Sequence, residues 1–336
     1  MICGNPDVPN CASDVNDPIK IFSSPAVFGG SVFVGYTADG NVGYRGGFMA
    51  LDAETGKTRW RFELDPKLDA KGNIVGAFNR GCGNVWSSPA IDTTHQLVFF
   101  GTADCNGDAL PPYSESVIAL DTERGALRWV FRPRESDPHL CDFDFGASPN
   151  VIDIGRANFV GIGSKDGTYY LLQRLTHNPK GQVAWAKNVV FGGMSGGFFG
   201  GAAFDGTHIF SATGIGDGNP FTRTGLCDPS NPRDTFIQEP SMHALTAVDG
   251  GILWEQGFNH SFAATSLADG VVFSGLVGIE PPALNAYNAR SGHLLASFSM
   301  PGSVNSAATP VGKMLFVTSG NSSDGRGSAI HAFTLP

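Results

Sequence analysis

The sequence predicts an all-β protein, a β-propeller with six visible repeat units in a single domain over residues 1–336. Three observations carry that expectation. Short segments rich in Val, Phe, Ile and Tyr recur in the same order six times, which is the mark of a repeat architecture. Glycine, 45 of 336 residues, gathers at the junctions between those segments, where tight turns need positive φ. No window of useful length shows the 3.6-residue periodicity of an amphipathic helix.

Each unit opens with a small-residue strand: SSPAV (23–27), SSPAI (87–91), ASPNV (147–151), GAAFD (201–205), AATSL (263–267) and AATPV (307–311). A second strand follows as SVFVGY (31–36), LVFFGT (97–102), FVGIGS (159–164), HIFSAT (208–213), VVFSGL (271–276) and MLFVTS (314–319). The third reads GFMALD (47–52), SVIALD (116–121), TYYLLQ (168–173), MHALTA (242–247), LNAYNA (284–289) and IHAFTL (330–335). A turn through Gly56, Gly125, Gly181, Gly250 or Gly292 then leads into a fourth strand. Trp60, Trp129, Trp185 and Trp254 stand in that fourth strand and are expected to pack between neighbouring units. Four short antiparallel strands per unit make a propeller blade. The sixth unit stops after its third strand, and DPIKIF (17–22), in an N-terminal loop of residues 1–22, is a candidate closing strand.

The long irregular stretches 65–86, 103–115, 134–146 and 214–241 all follow a second or a fourth strand. In a propeller such loops crowd one face, around the channel, where ligands bind. The Gly-rich runs 197–206 and 214–220 belong to that face and are expected to shape a substrate mouth. His95, His177 and His208 fall in the opposite, outer turns, and His139 is a candidate pocket residue.

Composition narrows the function. A net charge of −9 with no Lys/Arg cluster argues against nucleic acid and anionic membranes as partners. No apolar run is long enough to span a bilayer. The first twenty residues lack the basic and apolar blocks of a signal peptide and read as the interior of a protein, truncated at the N-terminus. None of the six cysteines forms a CxxC pair, so zinc-ribbon and CxxCH haem motifs are absent. Cys82–Cys105 and Cys3–Cys11 are the expected pairings, each bracketing one compact segment; isolated buried thiols in a cytosolic protein are the alternative. Disulfides would imply a periplasmic or extracellular location. Ser/His/Asp, P-loop and HExxH patterns are also missing.

The ALDxxTGxxxW turn and strand, with the SSPAV and VFVG strands, resembles the PQQ-dependent quinoprotein alcohol dehydrogenases. The NVWSSPA and DFGASP segments are most similar to the polyvinyl-alcohol-dehydrogenase-like members. The resemblance covers essentially the whole chain. It implies an eight-bladed propeller holding pyrroloquinoline quinone (PQQ) and Ca²⁺ in its channel, of which this chain corresponds to the later three quarters. The cofactor cover of the family, an adjacent-cysteine disulfide ring and an arginine from earlier blades, has no counterpart here.

The same resemblance implies a set of site residues. Trp86, outside the register of the other four tryptophans, takes the place of the floor on which the quinone stacks. Asp104, eighteen residues on, falls where the family has an Asn metal ligand. Asn41 falls where it has a Glu ligand, so carboxylate and amide exchange places. Asp142 in PHLCDFDFGASP takes the position of the catalytic base and adjoins the metal, with Asp144 as the fallback base. Cys141 replaces a family tryptophan there, which leaves the local loop shape open. Lys165 opens KDGTYYLLQR, matching the family form K-x-G-x-x-Y-x-L-x-R, and is placed to donate to the quinone oxygens. The implied activity is oxidation of a small-molecule or polymeric alcohol, with electrons passed to a separate acceptor such as a cytochrome c. Non-catalytic scaffold propellers share the repeat, so a cofactor-free binding protein is the rival reading. Convergence of Asn41, Trp86, Asp104, Asp142 and Lys165 would separate the two.

Overall fold

The computed structural model describes residues 19–37, 45–71, 74–76, 82–104, 111–134, 142–193, 195–215, 240–257, 259–277, 282–320 and 328–334. Among them the regular structure is entirely strand. Strands β1 (Ala26–Phe28), β2 (Ser31–Tyr36), β3 (Gly47–Asp52) and β4 (Thr58–Glu63) form the first sheet in chain order. A small hairpin of β5 (Lys67–Leu68) and β6 (Ile74–Gly76) follows, inside one of the stretches expected to be irregular. The second sheet is β7 (Ala90–Asp92), β8 (Leu97–Gly101), β9 (Val117–Asp121) and β10 (Leu127–Phe131). The third is β11 (Asn150–Ile154), β12 (Ala157–Gly163), β13 (Thr168–Gln173) and β14 (Val183–Asn188). The fourth is β15 (Ala203–Phe204), β16 (His208–Ala212), β17 (Met242–Thr246) and β18 (Ile252–Gln256). The fifth is β19 (Ser266–Ala268), β20 (Val271–Gly275), β21 (Ala283–Asn288) and β22 (Leu294–Ser299). The sixth has three strands among the described residues: β23 (Thr309–Val311), β24 (Met314–Ser319) and β25 (Ala329–Thr334). Of the candidate closing strand only 19–22 is described, where Lys20 makes an isolated bridge with Thr37.

The first strand of each unit begins later than its small-residue motif. SSPAI was expected to be strand from residue 87, yet β7 starts at Ala90. The serine is the reason. Ser87 Oγ donates to the Gly101 carbonyl (3.0 Å) and accepts from the Gly101 N–H (2.9 Å), so it replaces ladder bonds. The proline two residues on has no N–H to pair. Ser261 repeats half of the arrangement, donating to Gly275 O at 2.6 Å. His95 and His208 are likewise more engaged than their outer turns suggested, with Nδ1 2.8 Å from Asp92 and 3.2 Å from Asp205.

The chain divides into two compact units, Met1–Val151 with Gln173–Gln182, and Ile152–Leu172 with Val183–Pro336. In the first, the core lies where β3 and β8 face one another, with Phe48 and Phe100 stacked at 4.1 Å between ring centroids. Each such buried phenylalanine stabilises by about 1.5–3 kcal/mol. In the second, Phe210, Trp254 and Tyr287 form one core cluster and Leu284, Val304 and Leu315 another.

Two contacts repeat from sheet to sheet. The fourth-strand tryptophans each donate their indole N–H to a carbonyl in the outer turn of the next repeat: Trp60 to Thr122 (3.1 Å), Trp129 to Arg174 (3.1 Å), Trp185 to Ala247 (2.9 Å) and Trp254 to Ala289 (2.8 Å). The turn glycine of that next repeat lies on the ring. A β-carbon on Gly125 would sit 2.5 Å from Trp60, on Gly250 2.7 Å from Trp185 and on Gly292 2.6 Å from Trp254. The second contact is at the end of the second strand. There Gly35, Gly101, Gly163 and Gly275 leave room for Val85, Phe145, Phe198 and Val304 of the following repeat. In an antiparallel unit the loops after strands two and four leave from the same edge of the sheet, so this second contact forms the base of that loop edge.

The outer turns are also tied by charge. The Arg59 guanidinium, then Thr55, holds the Asp52 carboxyl well below the usual carboxylate range. Because the folded pKa is depressed, this turn holds fully above about pH 4 and weakens as acid protonates Asp52.

Gly56 and Gly125 occupy the same turn position, with φ of +68° and +66°, but nothing lies within 4 Å of a β-carbon on Gly56. Gly56→Ala is expected to cost only the backbone term, about 1–2 kcal/mol. Gly125→Ala adds a ring clash of about 1–3 kcal/mol. Urea unfolding followed by tryptophan fluorescence checks this; equal losses would remove the ring contact as a stabilising feature.

Candidate functional site

The loop edge of the first unit is built on the second-strand glycines. Val85 and Phe145, both fully buried, plug against Gly35 and Gly101. Each plug carries a candidate residue beside it, Trp86 after Val85 and Asp144 before Phe145. The Phe145 N–H donates to the Thr102 carbonyl (3.1 Å), and the Ala103 N–H to the Asn84 carbonyl (3.0 Å). Both loops are thereby sewn to the end of β8, from which Asp104 extends.

Four of the expected residues meet there. One carboxylate oxygen from each of Asp104, Asp142 and Asp144 lies within 4.8 Å of the others. Asp144 is buried and held on both oxygens: Oδ1 accepts from the Asp104 N–H (2.9 Å) and Oδ2 from the Trp86 indole N–H (3.2 Å). Trp86 is half-buried, and its six-membered ring rests on Gly146, where a β-carbon would come within 1.8 Å of the ring. Asp142 is half-buried and adopts φ +55°, a left-handed conformation that costs a residue with a β-carbon about 1–2 kcal/mol. Phe143, between the two aspartates, is buried and packs under Arg134.

Asn84 and Gly146 are parts of this arrangement that the sequence alone did not single out. Asn84 is buried; its Nδ2 donates to the Asp104 carbonyl (2.8 Å), and its Oδ1 accepts from the Thr37 hydroxyl. It fixes the backbone of Asp104 and ties it to Thr37 of the preceding repeat. The signal for both was present in GCGNVW and DFGASP, but only as small or polar residues beside a tryptophan and an aspartate.

Asn41, His139 and Cys141 lie outside the described residues. Cys82 is disulfide-bonded, and the cysteines proposed as partners also lie outside them.

Lys165 belongs to the second unit. It is 4% exposed, and its Nζ lies 5.2 Å from the centroid of the Phe199 ring. Gly192 and Gly197 close on its backbone, and its carbonyl accepts from the Gly193 N–H (2.8 Å). Part of the Gly-rich run therefore packs around Lys165. The rest of the KDGTYYLLQR motif does other work. Asp166 accepts from the Tyr170 hydroxyl (2.8 Å) and the Thr168 N–H (2.8 Å). Arg174, in the first unit, is buried 3.3 Å from Asp92 while its carbonyl receives Trp129.

A hard cation takes oxygen ligands, and three converging carboxylates are such a donor set. Without a cation, like charges at this spacing repel one another. The donor set thus fits a bound metal, and the flat, edge-anchored Trp86 fits a planar partner.

Comparison with known proteins shows the family of the chain. The pattern of the PQQ family described as glucose/ethanol/alcohol dehydrogenase, beta-propeller domain, matches residues 8–185, more than half of the chain. A polyvinylalcohol dehydrogenase of Sphingopyxis sp. (strain 113P3) is 27% identical over 263 residues, covering 69% of this chain and 38% of its own length. Another, from a Pseudomonas species, is 25% identical, covering 80% of this chain and 42% of its own length. The chain thus spans about two fifths of the length of these curated relatives. Among solved structures, the quinohemoprotein alcohol dehydrogenase of Comamonas testosteroni superposes with a TM-score of 0.66 at 19% identity, over 90% of this chain and 56% of that one. The six repeats, their strand order and the matched sequence pattern make the chain an all-β propeller of PQQ-type repeats, a member of the PQQ family of glucose/ethanol/alcohol dehydrogenase β-propeller domains.

Proposed function

We propose that this chain is the site-bearing part of a PQQ-dependent dehydrogenase that oxidises a small-molecule or polymeric alcohol. The observation that carries the proposal is the meeting of Trp86 with Asp104, Asp142 and Asp144. Three carboxylates packed at that spacing against an indole suit a metal beside a planar ligand.

When bound, PQQ supplies a two-electron acceptor and Ca²⁺ a Lewis acid that makes the quinone electrophilic. Asp104 and Asp142 would hold the metal, with Asn41 as a further ligand. Trp86 would offer its face to the quinone, and Lys165, in the role that the family resemblance implies, would offer its cation. Asp142 accepts the substrate hydroxyl proton. The greater exposure of Asp142 supports it over Asp144 in that role. Asp144 is buried and both of its oxygens accept fixed donors, which ties its direction and makes it an anchor. Electrons pass to a separate acceptor such as a cytochrome c. The Cys82 disulfide supports a periplasmic or extracellular setting. Among the described residues no helix is long and apolar enough to cross a membrane.

The metal has a second candidate. Carboxylates are hard oxygen donors that suit a trivalent lanthanide as well as Ca²⁺. One structural neighbour, with a TM-score of 0.66 and 17% identity, is a europium-containing methanol dehydrogenase.

Incubation with PQQ and Ca²⁺ should give a dye-linked alcohol dehydrogenase activity that a chelator abolishes. Restoration by a trivalent lanthanide and not by Ca²⁺ would reassign the metal, and no activity with either would overturn the enzyme reading. Asp142→Asn should lower kcat by about 10²–10⁴-fold while PQQ is retained. The same loss from Asp144→Asn with Asp142→Asn active would exchange their roles. Trp86→Ala should weaken PQQ binding by about tenfold, the size of one aromatic stacking contact. Equilibrium dialysis against PQQ measures it, and unchanged affinity would remove Trp86 as the floor.

A further inference from the structure

Between the two aspartates lies a residue that no chemistry requires, and a cation grips it. The Arg134 Nη2 donates to the Phe143 carbonyl at 2.9 Å, and the same guanidinium lies over the Phe143 ring, 4.7 Å from its centroid. Backbone and side chain of one residue are thus held by one planar group. A lysine could place a charge there but could not stack and donate along a fixed plane together.

The neighbours of Phe143 show why such a grip matters. On one side Asp144 is fixed by Trp86 and by the Asp104 N–H. On the other, Asp142 sits in the left-handed region at φ +55°, a conformation that persists only where the surroundings enforce it. Phe143 is buried, so its ring and carbonyl cannot trade these contacts for water. The carbonyl bond fixes the peptide that joins Phe143 to Asp144, and the ring contact fixes Phe143 itself, the residue to which Asp142 is joined. The guanidinium also brings positive charge to a loop whose three carboxylates repel one another.

We propose that Arg134 is a positioning residue for the metal-binding carboxylates: through Phe143 it holds Asp142 in its left-handed conformation and so sets the donor geometry of the Asp104–Asp142–Asp144 group. The proposal rests on the metal reading of that group. Arg134 itself need not touch metal, quinone or substrate.

Terbium(III) is a suitable probe, because it seeks oxygen ligands and its emission is sensitised by a nearby indole such as Trp86. Wild-type protein should bind Tb³⁺ with emission excited through tryptophan, and Asp104→Ala should abolish that signal. Arg134→Ala should weaken Tb³⁺ by about ten- to a hundredfold, the usual effect of losing an outer-shell partner of a metal ligand. Its thermal midpoint should fall much less than its affinity, and Arg134→Lys should recover part of the binding. Phe143→Leu, which keeps the carbonyl acceptor and removes the ring, should give an intermediate loss. Should Arg134→Ala fail to fold, Arg134→Lys and Phe143→Leu decide the matter. Wild-type Tb³⁺ affinity in the folded Arg134 variants would overturn the positioning role while leaving the metal site intact. Absence of indole-sensitised binding in the wild type would overturn the metal site, and the role of Arg134 with it.

Discussion

A β-carbon at Gly101 would lie 2.1 Å from the Phe145 carbonyl oxygen, and one at Gly35 would lie 2.3 Å from the Val85 side chain. These two approaches control the rest of the first unit. Each lets a residue from the next repeat seat itself in the end of a second strand, and each seated residue carries a site residue next to it. Trp86 and Asp144 are then brought within hydrogen-bond reach of one another across fifty-eight positions of chain. Rigid strands, not the loops themselves, fix their distance. The same glycine recurs at Gly163 and Gly275, facing Phe198 and Val304. The device belongs to the repeat, and chemistry has been added to it at one place.

Most of the repeat was legible in the sequence because strands of five or six residues and glycine turns leave strong local marks. The tryptophans were read as packing between units, which their hydrogen bonds to the next turn support. What could not be read was the reason for the turn glycines. Positive φ accounts for Gly56 and for Gly125 alike, and only the folded chain shows a ring against the second. The start of β7 was placed early for a similar reason: SSPAI has strand composition, but Ser87 spends its hydroxyl on Gly101. The β5–β6 hairpin was missed because LDPKLD and GNIVG show no sustained alternation.

The site was legible through family spacing at Trp86, Asp104 and Asp142, and less so in the division of labour between Asp142 and Asp144. Spacing gives a position in the chain, whereas the role of a carboxylate depends on what donates to it. An aspartate with two fixed donors is tied in direction. One with a strained backbone and greater exposure is better placed to exchange a proton with a substrate. That distinction is a property of Asn84, Gly146 and the Asp104 N–H as much as of the two aspartates. Asn84 and Gly146 drew no notice as lone letters.

Trp86 joins these lines of reasoning. A tryptophan that merely filled space would be expected to satisfy its N–H on a backbone carbonyl, as Trp60, Trp129, Trp185 and Trp254 do, three of them with the ring buried and Trp185 half-buried. Trp86 instead gives its N–H to a carboxylate of the acidic group, remains half-buried, and rests its ring on a glycine that allows it no shift. Its indole is therefore held by the same anion that holds the Asp104 backbone, so a change in charge at Asp144 is felt by the ring. A cation entering among the three aspartates would compete for Asp144 Oδ1 or Oδ2 and would alter the hold on Trp86 directly. Metal and planar ligand would thus be coupled through one carboxylate, each felt by the other through the hold of Asp144 on Trp86.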